Sequence, residues 1–234
     1  MNPAAIVHLT ADSIAGLNNG DVVQNWQGLT GKNAVNDVAA SSPTYVTNVL
    51  NSKPIVRFNG VADDPRYLSI LDFGVNIRNS TTFVVGKANQ GCFVSQRSVN
   101  GRWNLYRHRL QVGLGGWLEF GQIFADYHIF TLTGNGDTKS AWVDGIFINT
   151  IQETDTIIPT RLNIGTGTNS NQTPGLTFGE FNGDIAEIII CEALATEERL
   201  QVELELKEKW FISKLCRSIL KVNRRQLSVK NELH

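Results

Sequence analysis

The feature of this sequence that most constrains its fold is a succession of short apolar runs separated by Gly, Asn, Asp and Pro residues. Runs of this length, punctuated by residues that favour turns, are typical of β-strands rather than helices. Thirteen such runs lie at residues 5–9, 21–26, 44–50, 55–58, 67–70, 81–87, 92–96, 103–108, 117–120, 128–133, 139–149, 161–164 and 185–191. Because no helical period separates them, the sequence predicts two packed antiparallel sheets.

The composition agrees with an all-β globular chain. The 234 residues are 41% hydrophobic and 18% charged, and they include 22 Asn, 18 Thr and 21 Gly. Charged residues are scarcer than in an average soluble domain, while abundant Asn, Thr and Gly suit short strands joined by polar turns. A chain of this size can bury one large core, which excludes global disorder and disfavours a helical bundle.

Only the C-terminal part of the sequence changes its period. Val202, Leu206 and Trp210 recur at helical spacing after a capping Thr196, so we predict one helix that packs on the sandwich. The alternation of polar and apolar residues over 201–206 also fits a strand, but length and capping favour the helix. With Thr196 as the cap, the third helical position is Arg199, and no capping box is predicted.

The last 22 residues form a basic tail. Residues 213–234 carry six Lys or Arg against one acid, whereas residues 1–212 carry 15 basic against 21 acidic residues. Apolar and basic residues of the tail fall on opposite halves of a helical wheel. We therefore divide the chain into a β-sandwich domain, 1–212, and a basic amphipathic tail, 213–234. The tail is predicted to be an arm that docks on an acidic neighbouring copy or another protein, through Leu215, Ile219, Leu220, Arg217, Arg224 and Arg225.

The cysteines and the N-terminus bear on the compartment in which the chain folds. Cys92, Cys191 and Cys216 have no metal-ligand spacing, and the first two lie in apolar runs where buried thiols are expected. A disulfide framework is not expected, which favours a reducing compartment. Residues 1–9 lack a secretory signal and the longest apolar stretch is too short for a membrane span, so neither standard export nor a membrane anchor is expected.

An ordered series of segments carries a resemblance to a known family. The most specific segment is FNGDIAEIII at 181–190, which is followed by Ala193-Leu194, Glu198-Arg199 and Lys209-Trp210. Earlier segments lie at 20–26, 43–46, 53–60, 67–68, 83–85, 142–145 and 162–165. Over residues 5–212 the chain resembles a laminin-G-like module of the concanavalin A-like lectin/glucanase superfamily. The resemblance implies an all-β, two-sheet antiparallel jelly-roll sandwich with a short C-terminal helix, to which this chain adds its basic amphipathic C-terminal extension.

The carboxylates of the sequence do not form a glycosidase pair. Glucanases of the superfamily carry two carboxylates on one strand, about four positions apart. Asp184 and Glu187 are three positions apart, so on a regular strand they face opposite sides. Glu180 and Asp184 would share a side only if the strand ran unbroken through Asn182-Gly183, which we interpret as a turn. No other catalytic motif is present, so no catalytic residue is assigned and no enzyme activity is expected.

No cofactor is expected, although calcium is left open. No histidine or cysteine pattern has metal-ligand spacing, so no metal ligand is assigned. Laminin-G-like modules sometimes bind calcium through loop oxygens, which here could come from Asp63, Asp64, Asp137 and Asp144. Asp144 is better explained by an Asp144-Gly145 hairpin turn. The strand histidines His8 and His128 are interpreted as packed or hydrogen-bonded.

Aromatic residues offer the remaining route to ligand binding, because sugar rings stack on Trp and Tyr while polar neighbours bind the hydroxyls. The richest segment is 103–109, in which Trp103 and Leu105 are interpreted as core residues on one side of a strand. Trp117 lies beside flexible glycines. We therefore predict a ligand-binding surface composed of Tyr106, His108, Arg109 and Trp117.

Two functions fit these observations. The first is a non-catalytic structural or binding protein of a phage virion, either a capsid decoration or a tail protein, which is assembled in the host cytoplasm and exposes a lectin-like surface. The alternative is a carbohydrate-binding or adhesion module of a bacterial surface protein, outside the cell. The expected partners are copies of the chain, other virion proteins and a glycan, with neither nucleic acid nor a membrane. A glycoside hydrolase is disfavoured by the missing carboxylate pair.

Overall fold

A computed structural model of the chain describes residues 4–61, 63–75, 78–98, 101–113, 116–154, 160–168 and 179–212. Within them lie sixteen strands and one α-helix, α1, at Thr196–Trp210. The first sheet contains β1 Ala5–Thr10, β4 Thr44–Leu50, β5 Lys53–Asn59, β7 Asn79–Gln90, β12 His128–Asn135, β13 Thr138–Val143, β14 Ile146–Gln152 and β16 Asn182–Glu192. The second sheet contains β2 Asn25–Trp26, β3 Ala34–Val35, β6 Leu68–Ile70, β8 Cys92–Ser98, β9 Gly101–Tyr106, β10 Arg109–Gly113, β11 Gly116–Glu119 and β15 Leu162–Ile164.

The two sheets form the predicted antiparallel sandwich. The first sheet has the strand order β14-β13-β12-β7-β16-β5-β4, with β1 beside β16, and the second has the order β11-β10-β9-β8-β15-β6-β3-β2. The named strands pair in antiparallel fashion in both sheets. Apolar side chains of the two inner faces pack into one core, whose fully buried rings include Trp26, Phe58, Phe93, Phe130 and Phe181.

The C-terminal helix packs on the outer face of the first sheet. Val202, Leu206 and Trp210 are buried against strand residues such as Phe83 and Ile129, which confirms the predicted apolar stripe and excludes the alternative strand.

The start of this helix differs from the prediction. Ala195 is the N-cap, and its N–H donates to Glu198 Oε2 at 3.0 Å. Because Thr196 is already helical, Glu198 rather than Arg199 occupies the third position and makes the back-bond of a capping box.

Some predicted boundaries of strands and turns agree with the structure, and others differ from it. Residues 139–149 divide at Asp144-Gly145 into β13 and β14, and both turn residues have the expected positive φ, 54° and 83°. In the run 21–26 only Asn25–Trp26 is a strand. Asn182 and Gly183 are not a turn but the first residues of β16. Two strands, β3 and β10, were not predicted at all.

The arrangement leaves one large sheet surface without a helix on it. Among the described residues, α1 packs on the outer face of the first sheet and no helix packs on the outer face of the second. The predicted tail, 213–234, with all its docking residues and Cys216, lies outside the described residues.

Candidate functional site

The predicted ligand-binding residues converge on the outer face of the second sheet. Leu105, Leu110 and Leu118 of three adjacent strands point into the core. Since side chains alternate along a strand, their neighbours Tyr106, Arg109 and Trp117 point outward. His108 lies beyond the end of β9, in the turn that leads to β10, rather than on a strand as predicted.

Arg109 lies at the centre of this group. Its guanidinium carbon is 3.7 Å from the centroid of the Trp117 ring and 5.7 Å from that of Tyr106. The two aromatic rings are 6.3 Å apart, and His108 is 6.1 Å from Tyr106. Guanidinium groups bind to aromatic faces at such distances, so the side chains stabilise one another. We call Tyr106, His108, Arg109 and Trp117 the Arg109 cluster.

Burial and charge fix the protonation states in the cluster. Burial raises the pKa of Tyr106, so its hydroxyl remains protonated and can donate. Burial also lowers the pKa of His108, and the charges of Arg109 and Arg107 lower it further against the opposing effect of Glu119. At neutral pH the imidazole is therefore uncharged, which leaves Arg109 as the cation of the cluster.

A row of buried polar side chains underlies the cluster on the same face. Thr168, which follows β15, accepts hydrogen bonds from Ser95 Oγ at 2.7 Å and Asn163 Nδ2 at 2.9 Å. The side-chain amides of Asn104 and Gln111 are 3.1 Å apart. These groups satisfy one another, so the row forms a rigid polar floor rather than a second binding site. Its members are Ser69, Asn163, Thr168, Ser95, Asn104 and Gln111.

Three charged residues on this face were missed by the sequence analysis. Arg97 and Arg102 face each other across β8 and β9, and Glu119 lies opposite Arg109 across β10 and β11. A signal for them exists in the sequence, because the stretch between Asp72 and Glu119 carries six Lys or Arg and no acid. An acid-free basic stretch in an otherwise acidic domain indicates a locally positive face.

The carboxylates of β16 lie on the other sheet and are already engaged. Asp184 accepts hydrogen bonds from Arg57 Nε at 2.7 Å and Nη2 at 2.9 Å, and from the Tyr127 hydroxyl. Glu187 pairs with the His8 imidazole at 2.6 Å and accepts hydrogen bonds from two residues of α1, Lys209 and Trp210.

The predicted opposite orientation of Asp184 and Glu187 is wrong. A register shift between Ile185 and Glu187 forms a β-bulge, which returns the second carboxylate to the helix side of the sheet. Both groups nevertheless have cationic or hydrogen-bonding partners, so they support the packing of the first sheet. Glu180 precedes β16 and is not on the strand.

Three of the four aspartates considered for calcium are each associated with a different partner. Asp64 pairs with Arg66, Asp137 with Arg78, and Asp144 with His128 and the Ile129 N–H. Asp144 thus closes the hairpin as predicted. Within the described ranges, no group of three or more His, Cys, Asp or Glu residues is placed to hold a metal ion.

The two described cysteines, Cys92 and Cys191, are buried free thiols, as predicted. Burial raises the pKa of Cys191 to about 11, so this thiol is protonated at neutral pH.

In the part of the chain that the structure describes, no helix is long and apolar enough to span a membrane.

Neither a scan against protein-family models nor a search of curated proteins finds a match for this sequence. Solved structures do match. Domain 4 of AbnA, an extracellular arabinanase from Geobacillus stearothermophilus solved with arabinotriose, is 13% identical with a TM-score of 0.61, over 87% of this chain and 99% of that domain. The binding domain of botulinum neurotoxin serotype D is 14% identical with a TM-score of 0.57, over 88% of this chain.

Trypanosoma rangeli sialidase is also similar, at 14% identity and a TM-score of 0.57 over 87% of this chain. The match spans 52% of the toxin domain and 33% of the sialidase, but nearly all of the arabinanase domain. At these identities the likeness establishes the fold alone. The chain therefore has the β-sandwich fold of these proteins, and the laminin-G-like assignment stays a resemblance.

Proposed function

We propose that this chain is a non-catalytic module that binds a glycan on the outer face of its second sheet. The observation that carries the proposal is the convergence of Tyr106, His108, Arg109 and Trp117 on one accessible face. The side chains combine aromatic surface, a cation and hydrogen-bonding groups, which is the combination that binds sugars. Support also comes from the arabinanase domain, which shares the fold over its full length and was solved with arabinotriose.

Binding by the full-length chain to a glycan array tests this proposal. A Trp117→Ala variant removes the ring that holds Arg109, and we expect it to weaken binding about tenfold, or about 1.4 kcal/mol. The matched control is Phe147→Ala, which removes an exposed ring from β14 on the first sheet. A blank array, or equal losses in the two variants, would contradict the proposal.

The proposed absence of catalysis has its own test. Asp184 and Glu187 are each neutralised by partners, so neither is available as a free acid or nucleophile. We expect no release of reducing sugar from β-glucans. Activity that disappeared in both Glu180→Gln and Glu187→Gln variants would overturn this expectation.

The biological setting stays a prediction from the sequence. A virion component, whether a capsid decoration or a tail protein, and a module of a bacterial surface protein remain the two candidates, with assembly in a host cytoplasm or exposure on a cell as their locations. Mass spectrometry of purified phage particles distinguishes them. Absence of the chain from particles would contradict the virion setting without affecting glycan binding.

A further inference from the structure

The geometry of Arg109 restricts how the Arg109 cluster can contact a ligand. The guanidinium is stacked on Trp117, at 3.7 Å from the ring centroid, so it covers one face of the ring that a sugar would otherwise use. A guanidinium held flat on an aromatic ring presents its N–H edge. Trp117 is therefore better placed to orient Arg109 than to stack on a sugar through that face.

Among the described residues, no hydrogen bond saturates the Nε or Nη1 donor of Arg109. Its Nε atom is buried and has no hydrogen-bond partner among the described residues. Its nearest carboxylate, that of Glu119, is 3.6 Å from Nη1, which is longer than a normal hydrogen bond. A buried donor without a partner costs free energy, and the terminal Nη donors remain for a ligand oxygen.

The face that carries the Arg109 cluster has further cations, which favour an anion as its ligand. Arg97 and Arg102 lie on the same outward face and are directly opposed across β8 and β9. Like charges in such a pair destabilise a sheet. Burial lowers the pKa of Arg102, and the charge of Arg97 lowers it further. Glu119 is the only acid within the described residues of β8 to β11.

From these contacts we infer that the ligand is an acidic sugar, whose anionic oxygens accept hydrogen bonds from the edge of Arg109. This inference rests on the proposed glycan binding and names its ligand class. Two parallel N–H donors match the two oxygens of a carboxylate, and a sulfate ester presents equivalent oxygens. Trp117 acts as a positioning residue for Arg109, and the nearby Glu119 carboxylate competes with the ligand for the positive charge of Arg109.

The test is calorimetric titration of the full-length chain with three matched oligosaccharides, one neutral, one carrying uronic acids and one carrying sulfate esters. We expect at least one acidic form to bind about tenfold or more tightly than the neutral form. Its identity distinguishes carboxylate from sulfate as the source of the anionic oxygens.

Substitutions then assign the effect to Arg109. Arg109→Lys keeps the charge but removes the planar fork, and should reduce affinity for the acidic sugar about tenfold. Glu119→Gln removes the competing carboxylate and should strengthen binding of the acidic sugar, a change of sign that a merely structural role would not produce. Arg78→Gln removes one cation from the turn just before β7 and is the control, with unchanged binding expected.

Some outcomes would contradict only the preference for an acidic sugar, and others would contradict glycan binding itself. Equal affinity for neutral and acidic sugars would overturn the inference while glycan binding stands. Equal losses in Arg109→Lys and Arg78→Gln would also overturn it. If none of the sugars binds and the array is blank, the proposed function itself fails. The melting temperature of each variant shows whether it is folded.

Discussion

Trp210 holds α1 to the first sheet both by apolar packing and by a hydrogen bond. Its ring is fully buried in the cluster beneath the helix, and its indole N–H donates to the buried Glu187 carboxylate. The sequence identified the ring as part of an apolar stripe, but the hydrogen bond depends on a strand that is 23 residues away in the chain.

We expect Trp210→Ala to destabilise the protein by about 3–5 kcal/mol, because it leaves a cavity and removes a donor from a buried carboxylate. Chemical denaturation measures the loss. Leu204→Ala, on the exposed side of the same helix, is the control and should cost far less. An unchanged melting temperature for Trp210→Ala would show that the ring does not anchor the helix.

Gln96 is a polar residue in an apolar position. It lies opposite the core residue Trp103, is fully buried, and neither its side-chain oxygen nor its nitrogen has a hydrogen-bond partner among the described residues. Burial of an amide without partners opposes folding.

Gln96→Met, which keeps the length of the side chain, should therefore stabilise the fold by about 1–3 kcal/mol. The control is Gln111→Met in the same sheet, where the amide contacts Asn104 and its loss should not stabilise. Thermal and urea unfolding measure both variants. A less stable Gln96→Met protein would mean that the amide is satisfied in solution.

At the scale of elements, a charged network ties β1, β16 and α1 together beneath the end of the helix. Lys209 Nζ contacts Asp12 Oδ1 at 2.9 Å and Glu187 Oε2 at 2.8 Å. Burial acts to raise the pKa of Asp12, but hydrogen bonds from Lys53, Thr10 and Lys209 lower it to about 2. Burial likewise opposes ionisation of Glu187, and its hydrogen bonds again outweigh burial and lower its pKa.

This network predicts that the free energy of unfolding decreases as the pH falls. Both folded-state pKa values lie below the values of the unfolded chain, so the stabilisation is complete above about pH 5 and is lost as pH falls toward about 2. Melting temperatures between pH 6 and pH 2 should therefore decrease, and Asp12→Asn should flatten the dependence. Asp126→Asn, an exposed carboxylate, is the control. Parallel curves for Asp12→Asn and the unmodified chain would contradict the prediction.

Element boundaries were predicted well where local chemistry decides them. Asp144-Gly145 closes a hairpin because both residues tolerate positive φ. The strand β10 was missed because Arg109 to Gly113 is short and follows a turn without glycine, so only its pairing with β9 and β11 makes it a strand.

At the scale of the whole molecule, residues up to Ile212 already form both sheets, their common core and α1. Asn51 Nδ2 donates to the carbonyls of Lys209 and Ile212, at 3.1 and 2.9 Å, and so fixes the end of α1 on the β4–β5 turn. The proposal that residues 213–234 are a docking arm concerns assembly rather than folding.

Deletion of residues 213–234 should thus leave a folded sandwich with a similar melting temperature that no longer assembles. Light scattering measures the oligomeric state. A control that keeps the length but reverses charge, with Arg217, Arg224 and Arg225 changed to Glu, should lose assembly if an acidic surface is the receptor. A truncated chain with the oligomeric state of the full-length protein would refute the arm.

The sequence by itself determined the fold class, most of the strands, the buried stripe of α1 and the identity of the Arg109 cluster. These properties follow from alternation and turn chemistry, which act between residues close in the chain. Tertiary structure alone decided that Arg109 stacks on Trp117 opposite Glu119, that Arg97 and Arg102 oppose each other on the same face, and that a bulge brings Asp184 and Glu187 to one side. Strand register and bulges depend on which distant strands pair, and that pairing is set by packing of the whole sandwich rather than by any local run of residues.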